Sequence, residues 1–196
     1  MKHSRGLTLI ELLVTVALVA LISMTLYSSL ASGINIAQRI TRPFSDEDLA
    51  VFFEKMSREI SNAFPYSEIP FQGTESYFSV STTIRSEDQF GGDLSVGRVT
   101  YEYQSSLNTL NRRQENISEV FKEEQEKPVP VLKDATSISF KYYGLEPSAK
   151  IYHWFREWDS VEHDGKLPLA IRIEMEFQDE GKKRELLRTF TIPTGG

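Results

Sequence analysis

Hydrophobic positions along this chain follow three patterns in turn: a continuous run, a spacing of three and four, and then alternation. From Leu7 to Leu30 apolar side chains run almost without a break, and between Arg5 and Arg39 the only ionisable ones are Glu11 and the phenol of Tyr27. About 24 helical residues rising about 1.5 Å each reach about 36 Å, enough to cross a bilayer's hydrocarbon core with some tilt. Polar residues enter from Ser32 to Arg42, and Pro43 kinks or ends that helix. Ser45-Asp46-Glu47-Asp48 then reads as a new helix start, a capping serine followed by acids set against the dipole. Leu49, Phe52, Phe53, Met56, Ile60 and Phe64 follow on one apolar stripe, whose plain purpose is burial against a sheet.

Beyond Pro65 the period drops to two. Phe78, Val80 and Thr82 alternate with Tyr77, Ser79 and Ser81. Val99, Tyr101 and Tyr103 repeat the pattern, as do Ile138, Phe140 and Tyr142, and again Ile171, Ile173, Met175 and Phe177. Leu187, Thr189 (or Phe190) and Ile192 predict a last strand. Turns are expected at Gly91-Gly92, Glu146-Pro147 and Asp164-Gly165, and the charge run from Lys122 to Lys127, bounded by Pro128 and Pro130, reads as a solvated excursion. The sum is an α+β chain: a long N-terminal transmembrane helix followed by a domain with an antiparallel-rich β-sheet.

Lys2 and Arg5 stand before the apolar run, which by the positive-inside rule holds the N-terminus in the cytoplasm and sends the rest outward. Three readings of the run compete. One is a cleaved secretory signal, with small residues at Ala31-Ser32-Gly33; the second is a plain signal anchor. The third turns on Glu11. A carboxylate inside an apolar span costs about 2.5–3.5 kcal/mol on the insertion scale and is normally there for a partner. Positions three and four residues away are Leu7, Thr8, Val14 and Thr15, none of them a cation, so an intermolecular partner is the natural inference.

Arg5-Gly6-Leu7-Thr8-Leu9-Ile10-Glu11-Leu12-Leu13-Val14 resembles the class III signal of type IV pilins and type II secretion pseudopilins. The resemblance implies a prepilin peptidase that cuts after Gly6 and methylates the new N-terminus at Leu7, with Glu11 as the fifth residue of the mature chain. Leu7 stands where the family usually has Phe. The freed amine, of pKa about 7.7–8.0, would pair with Glu11 of a neighbouring helix. On this resemblance the chain divides into a basic leader, 1–6, a membrane-spanning assembly helix, 7–42, and a periplasmic globular pilin-like domain, 43–196.

The remainder resembles the J-type minor pseudopilin of type II secretion. The segments are Asp48-Leu49 through Arg58-Glu59-Ile60 with Ala63, Tyr101-Glu102-Tyr103 leading to Leu110-Asn111-Arg112, and Phe140-Lys141-Tyr142-Tyr143. Trp154 and Trp158, followed by Leu167-Pro168-Leu169-Ala170-Ile171-Arg172-Ile173, complete the likeness. Glu11 departs from the K-type tip subunit, which usually lacks that carboxylate, and the missing C-terminal cysteine pair departs from many type IVa pilins. What the resemblance implies is a minor subunit of a tip complex, with I-type and K-type minor subunits and the major pseudopilin as partners, that primes the pseudopilus and helps export folded proteins across the outer membrane. The subunit would lie in the bacterial inner membrane with its domain in the periplasm. A minor type IV pilin serving pilus priming, adhesion or DNA uptake is the alternative reading.

Composition narrows the chemistry. The 196 residues carry 22 Lys+Arg against 28 Asp+Glu, a formal charge of −6, which argues against nucleic acid as a partner. No cysteine is present, which excludes disulfides, thiolate metal sites and cysteine nucleophiles. His3, His153 and His163 are too scattered for a metal triad, and the acidic stretch Asp159 to Asp164 lacks the ligand spacing of an EF-hand. There is no Gly-x-Ser-x-Gly elbow and no phosphate-cradling glycine loop, so no catalysis, cofactor or metal is expected. Asn116-Ile117-Ser118 is a chance sequon. Tyr143, Tyr152, Trp154 and Trp158 form the densest aromatic cluster; packing is its plain reading, and a partner interface at Trp154 and Trp158 its functional one.

Overall fold

A computed structural model of the chain describes residues 9–41, 46–85, 94–124, 126–179 and 182–196. The chain divides into two compact units, Met1–Arg42 and Pro43–Gly196. The first is the helix α1, Leu9–Thr41, an uninterrupted rod of 33 residues. Gly6, Leu7, Pro43, the capping Ser45 and the Gly91-Gly92 turn lie outside the described residues.

The second unit opens with α2, Asp46–Ser61. Two antiparallel sheets follow. The six-stranded sheet runs in the order β5 (Val129–Leu132), β4 (Thr109–Asn116), β3 (Leu94–Gln104), β2 (Tyr77–Arg85), β1 (Gln72–Gly73) and β8 (Trp158–Asp159). The four-stranded sheet runs β10 (Lys182–Thr191), β9 (Ala170–Asp179), β6 (Ala135–Glu146) and β7 (Ile151–Phe155). A short helix, α3 (Ile117–Lys122), follows β4. Every strand pair is antiparallel, so the expected α+β class stands, with the strands split between two sheets.

One core lies between the sheets and under α2. Leu49, Phe52, Phe53, Met56 and Ile60 are all buried, as the three-and-four spacing predicts. The ring of Phe78 on β2 meets Tyr101 at 5.2 Å and, across the sheets, Phe140 edge-on at 5.0 Å. Tyr142 crosses in the other direction, its hydroxyl 2.7 Å from the Thr74 carbonyl oxygen and 2.9 Å from that of Tyr77. Burial pushes that phenol well above its ordinary range. Gly73 makes the crossing possible, since a Cβ there would stand 2.3 Å from Tyr142 Cζ.

Three features depart from the sequence pattern. In β10, Phe190 faces the core, as does Ile192 just past its end, while Leu187 points outward at 57% exposed, so the strand is in phase with Phe190 rather than Leu187. The strand β4 has the sequence Thr-Leu-Asn-Arg-Arg-Gln-Glu-Asn, which carries no apolar alternation for a strand to be read from. Third, α3 precedes the charged excursion, opened by a capping box in which Asn116 and Glu119 satisfy each other's backbone N–H groups. The Asn116 side-chain oxygen accepts from Ser118 and Glu119, which gives the sequon asparagine a structural task.

Candidate assembly surfaces

The helix α1 is the first surface. Its segment Leu9–Leu30 has a mean hydropathy of 2.5 and none of it is buried. At about 1.5 Å per residue it is about 33 Å long, the thickness of a bilayer's hydrocarbon core. Two of its hydroxyls are bonded to the helix backbone: Thr15 Oγ1 donates to the Leu12 carbonyl at 2.9 Å and Thr25 Oγ1 to that of Ile22 at 2.8 Å. A polar group bonded to its own helix removes the penalty of lodging it in lipid. Glu11 sits in the first turn of the described helix, where the dipole favours an anion. So many bare Leu, Val and Ile side chains in water would be untenable; lipid or other helices must cover them.

The two tryptophans of the aromatic cluster separate. Trp158 is 4% exposed and belongs to the core. Its Nε1 donates to the Lys166 carbonyl at 3.0 Å, and its ring stacks on His163 at 3.9 Å. A Cβ at Gly144 would lie 2.2 Å from the indole, so the glycine is there to admit it. Trp154 faces outward on β7, with the Arg172 guanidinium 3.8 Å above its ring and Tyr143 at 5.1 Å. Tyr152 stacks on Tyr143 and is 56% exposed. The outward platform is therefore Trp154, Tyr143, Tyr152 and Arg172, residue types that dominate interface hot spots. His153, on the same strand, packs on Phe155 at 4.0 Å and lies 3.3 Å from Glu146. Among the described residues no three His, Asp or Glu converge as metal ligands.

A third region escaped the sequence reading. Glu59 of α2 accepts from Tyr101 Oη at 2.6 Å and from Arg112 Nη2 at 2.7 Å, and Arg112 also reaches Gln114 at 2.6 Å. The carboxylate and guanidinium are almost wholly buried, 12% and 11% exposed. Burial, with the adjacent Glu59 charge, pushes the Tyr101 phenol far up, so it serves as a hydrogen donor throughout the physiological range. The available signal was a carboxylate at position 59 flanking the apolar stripe between Met56 and Ile60, which cannot be buried without a cation. Its partner on β4 had no such signal.

An exposed apolar helix joined to a separately cored antiparallel domain fits a membrane-anchored subunit of the pilin class. Residues 36–189 match the family model described as type II secretion system (T2SS), protein J, and residues 1–27 match the prokaryotic N-terminal methylation motif. The chain belongs to the type II secretion system protein J family, and is a minor pseudopilin of that system. Compared with curated proteins, it finds no match. The family is a structural one, and membership implies other pseudopilins as partners in general. A single apolar N-terminal helix fits a single-pass inner-membrane protein that enters a pseudopilus.

Proposed function

We propose that this subunit is inserted through α1 with its N-terminus in the cytoplasm and residues 43–196 in the periplasm, cut after Gly6 by a prepilin peptidase and methylated at Leu7. The mature helix then leaves lipid for a bundle of pseudopilin helices, where Glu11 receives the N-terminal amine of a neighbour. Partners of this chemistry are the I-type and K-type minor subunits and the major pseudopilin, assembled into a tip complex that primes the pseudopilus for export of folded proteins. The work is assembly rather than catalysis, and the site residues are Gly6, Leu7 and Glu11, with Trp154 presented to a partner and Trp158 fixing the loop behind it.

The observation that carries this reading is the helix itself. Its Leu9–Leu30 segment is apolar over a full bilayer thickness and none of that segment is buried, yet it keeps one carboxylate near its beginning. The match of residues 1–27 to the methylation motif supports the processing step. Mass spectrometry of the protein extracted from membranes tests it: the expected N-terminal peptide begins at Leu7 and carries one methyl group. A mature chain starting near Ala31 would make the segment an ordinary signal, and an intact Met1 would make it a plain anchor.

A further inference from the structure

A cleft of about 420 Å³ opens between α2 and β5, lined by Asp48, Val51, Phe52, Lys55, Pro130 and Lys133 among others. Its floor is apolar, and Val51 on the rim is 67% exposed, as is Val129 next along β5 at 61%. Two lysines border it, and neither Lys55 nor Lys133 forms an ion pair among the described residues. Lys55 is one turn from Glu59, the natural i,i+4 partner, but that carboxylate is held by Arg112 and Tyr101. The ammonium is thus lodged beside a guanidinium and shares its nearest carboxylate with it; burial together with Arg112 lowers its pKa by more than the Glu59 charge raises it.

We infer that this cleft is a docking groove for an acidic, apolar segment of another pseudopilin, with Lys55 and Lys133 receiving its carboxylate. The inference rests on the reading of the chain as an assembly subunit. An incoming carboxylate would supply Lys55 with a hydrogen-bonded anion, which Glu59, already held by Arg112, does not provide, while apolar flanks cover Val51 and Val129. Recognition runs through side chains rather than by strand addition, because Pro130 in the middle of the edge strand β5 has no N–H to give. Two lysines with Asp48 on the same wall suit one carboxylate. An anionic membrane surface would call for a larger cluster of cations, and the chain's charge of −6 opposes it.

The test uses the full chain in its native host, with a benzophenone amino acid at Val51 or Val129 and irradiation of intact cells. The expected product is a covalent adduct with a pseudopilin, identified by mass spectrometry, whose crosslinked peptide contains Asp or Glu. Lys55→Glu or Lys133→Glu should lower its yield by about tenfold, and reversing the partner's carboxylate to lysine should restore it. Lys55→Gln, which adds no repulsion, should give an intermediate yield, and melting curves establish that each variant is folded. Adducts with lipid, or no adduct while the chain still co-purifies with pseudopilins, would overturn the groove and leave the assembly reading intact. Failure to co-purify with any pseudopilin would instead overturn that reading, and the groove with it.

Discussion

Arg112 of β4 grips Glu59 of α2 in a two-pronged ion pair, with Nη2 at 2.7 Å from Oε1 and Nε at 3.1 and 3.2 Å from the two carboxylate oxygens. It joins residues 53 positions apart in sequence and fastens the last turn of the helix to the six-stranded sheet. A charge pair so little exposed is held by its geometry: both carboxylate oxygens have donors, and Tyr101 supplies a further one.

Glu59→Gln should therefore destabilise the domain by about 3 kcal/mol, because it leaves the Arg112 cation buried without its anion. Urea unfolding of the detergent-solubilised chain, followed by tryptophan fluorescence, measures the loss. The double change Glu59→Met with Arg112→Met should cost less than the sum of the two single changes, since no charge is then stranded. Additive costs would mean that the pair is not coupled.

Lys55 gives a prediction with a pH dependence. Its pKa in the folded chain is lowered, first by burial and then by Arg112, so the unfolded chain holds this proton more tightly. Stability contributed by this group rises as pH climbs from the lowered folded value to the ordinary lysine range, and is lost as pH falls back through the folded value. At neutral pH the charged lysine is a burden, and Lys55→Met should raise the melting temperature. The advantage should shrink as pH rises through the lowered folded value toward about 10.4, the ordinary lysine value, because the folded wild-type lysine sheds its proton over that range. A lysine that stabilises the fold at neutral pH would give the opposite sign.

The two tryptophans should respond in different currencies. Trp158→Ala empties a core site and should cost about 3–5 kcal/mol of stability. Gly144→Ala attacks the same site from outside, forcing a methyl to within 2.2 Å of the indole, and should cost about 1–3 kcal/mol by overpacking. Trp154→Ala removes the ring beneath Arg172 and should cost about 1 kcal/mol in folding, while weakening co-purification with partner subunits. Equal stability losses at the two tryptophans would dissolve the distinction between core and platform.

Much of this architecture is legible in the sequence, for reasons that particular residues make plain. The run from Leu9 to Leu30 announces a membrane helix because so long an apolar stretch has few other solvents. The stripe from Leu49 to Ile60 and the alternation in β2, β3, β6 and β9 are equally direct, since one face of each meets the core. The strand β4 is different. Its Arg112, Arg113 and Glu115 look like solvated residues, yet Glu115 is fully buried with Arg98 at 2.7 Å and Arg113 at 3.6 Å. A strand whose covered positions, Leu110 apart, are ion-paired residues on both faces has no hydrophobic period, and Arg112 and Glu115 find partners, Glu59 and Arg98, elsewhere in the fold. The same holds for Trp154 and Trp158, four residues apart in sequence: Trp154 lies opposite Tyr143 on β6 while the Trp158 ring is admitted at Gly144, a difference that only the pairing of the strands reveals. The phase of β10 was ambiguous for a simpler reason: Leu187 and Phe190 are both apolar but lie an odd number of residues apart, so the two cannot share a face of the strand.

The central claim is that this chain is a working part of type II secretion rather than of a surface pilus. The most direct measurement deletes the gene and scores, in the same strain, enzymes released to the medium and surface pili with twitching or transformation. Secretion should be lost and pili retained, with wild-type chain restoring export and Glu11→Leu failing to do so. Loss of pili or DNA uptake with secretion intact would contradict the account.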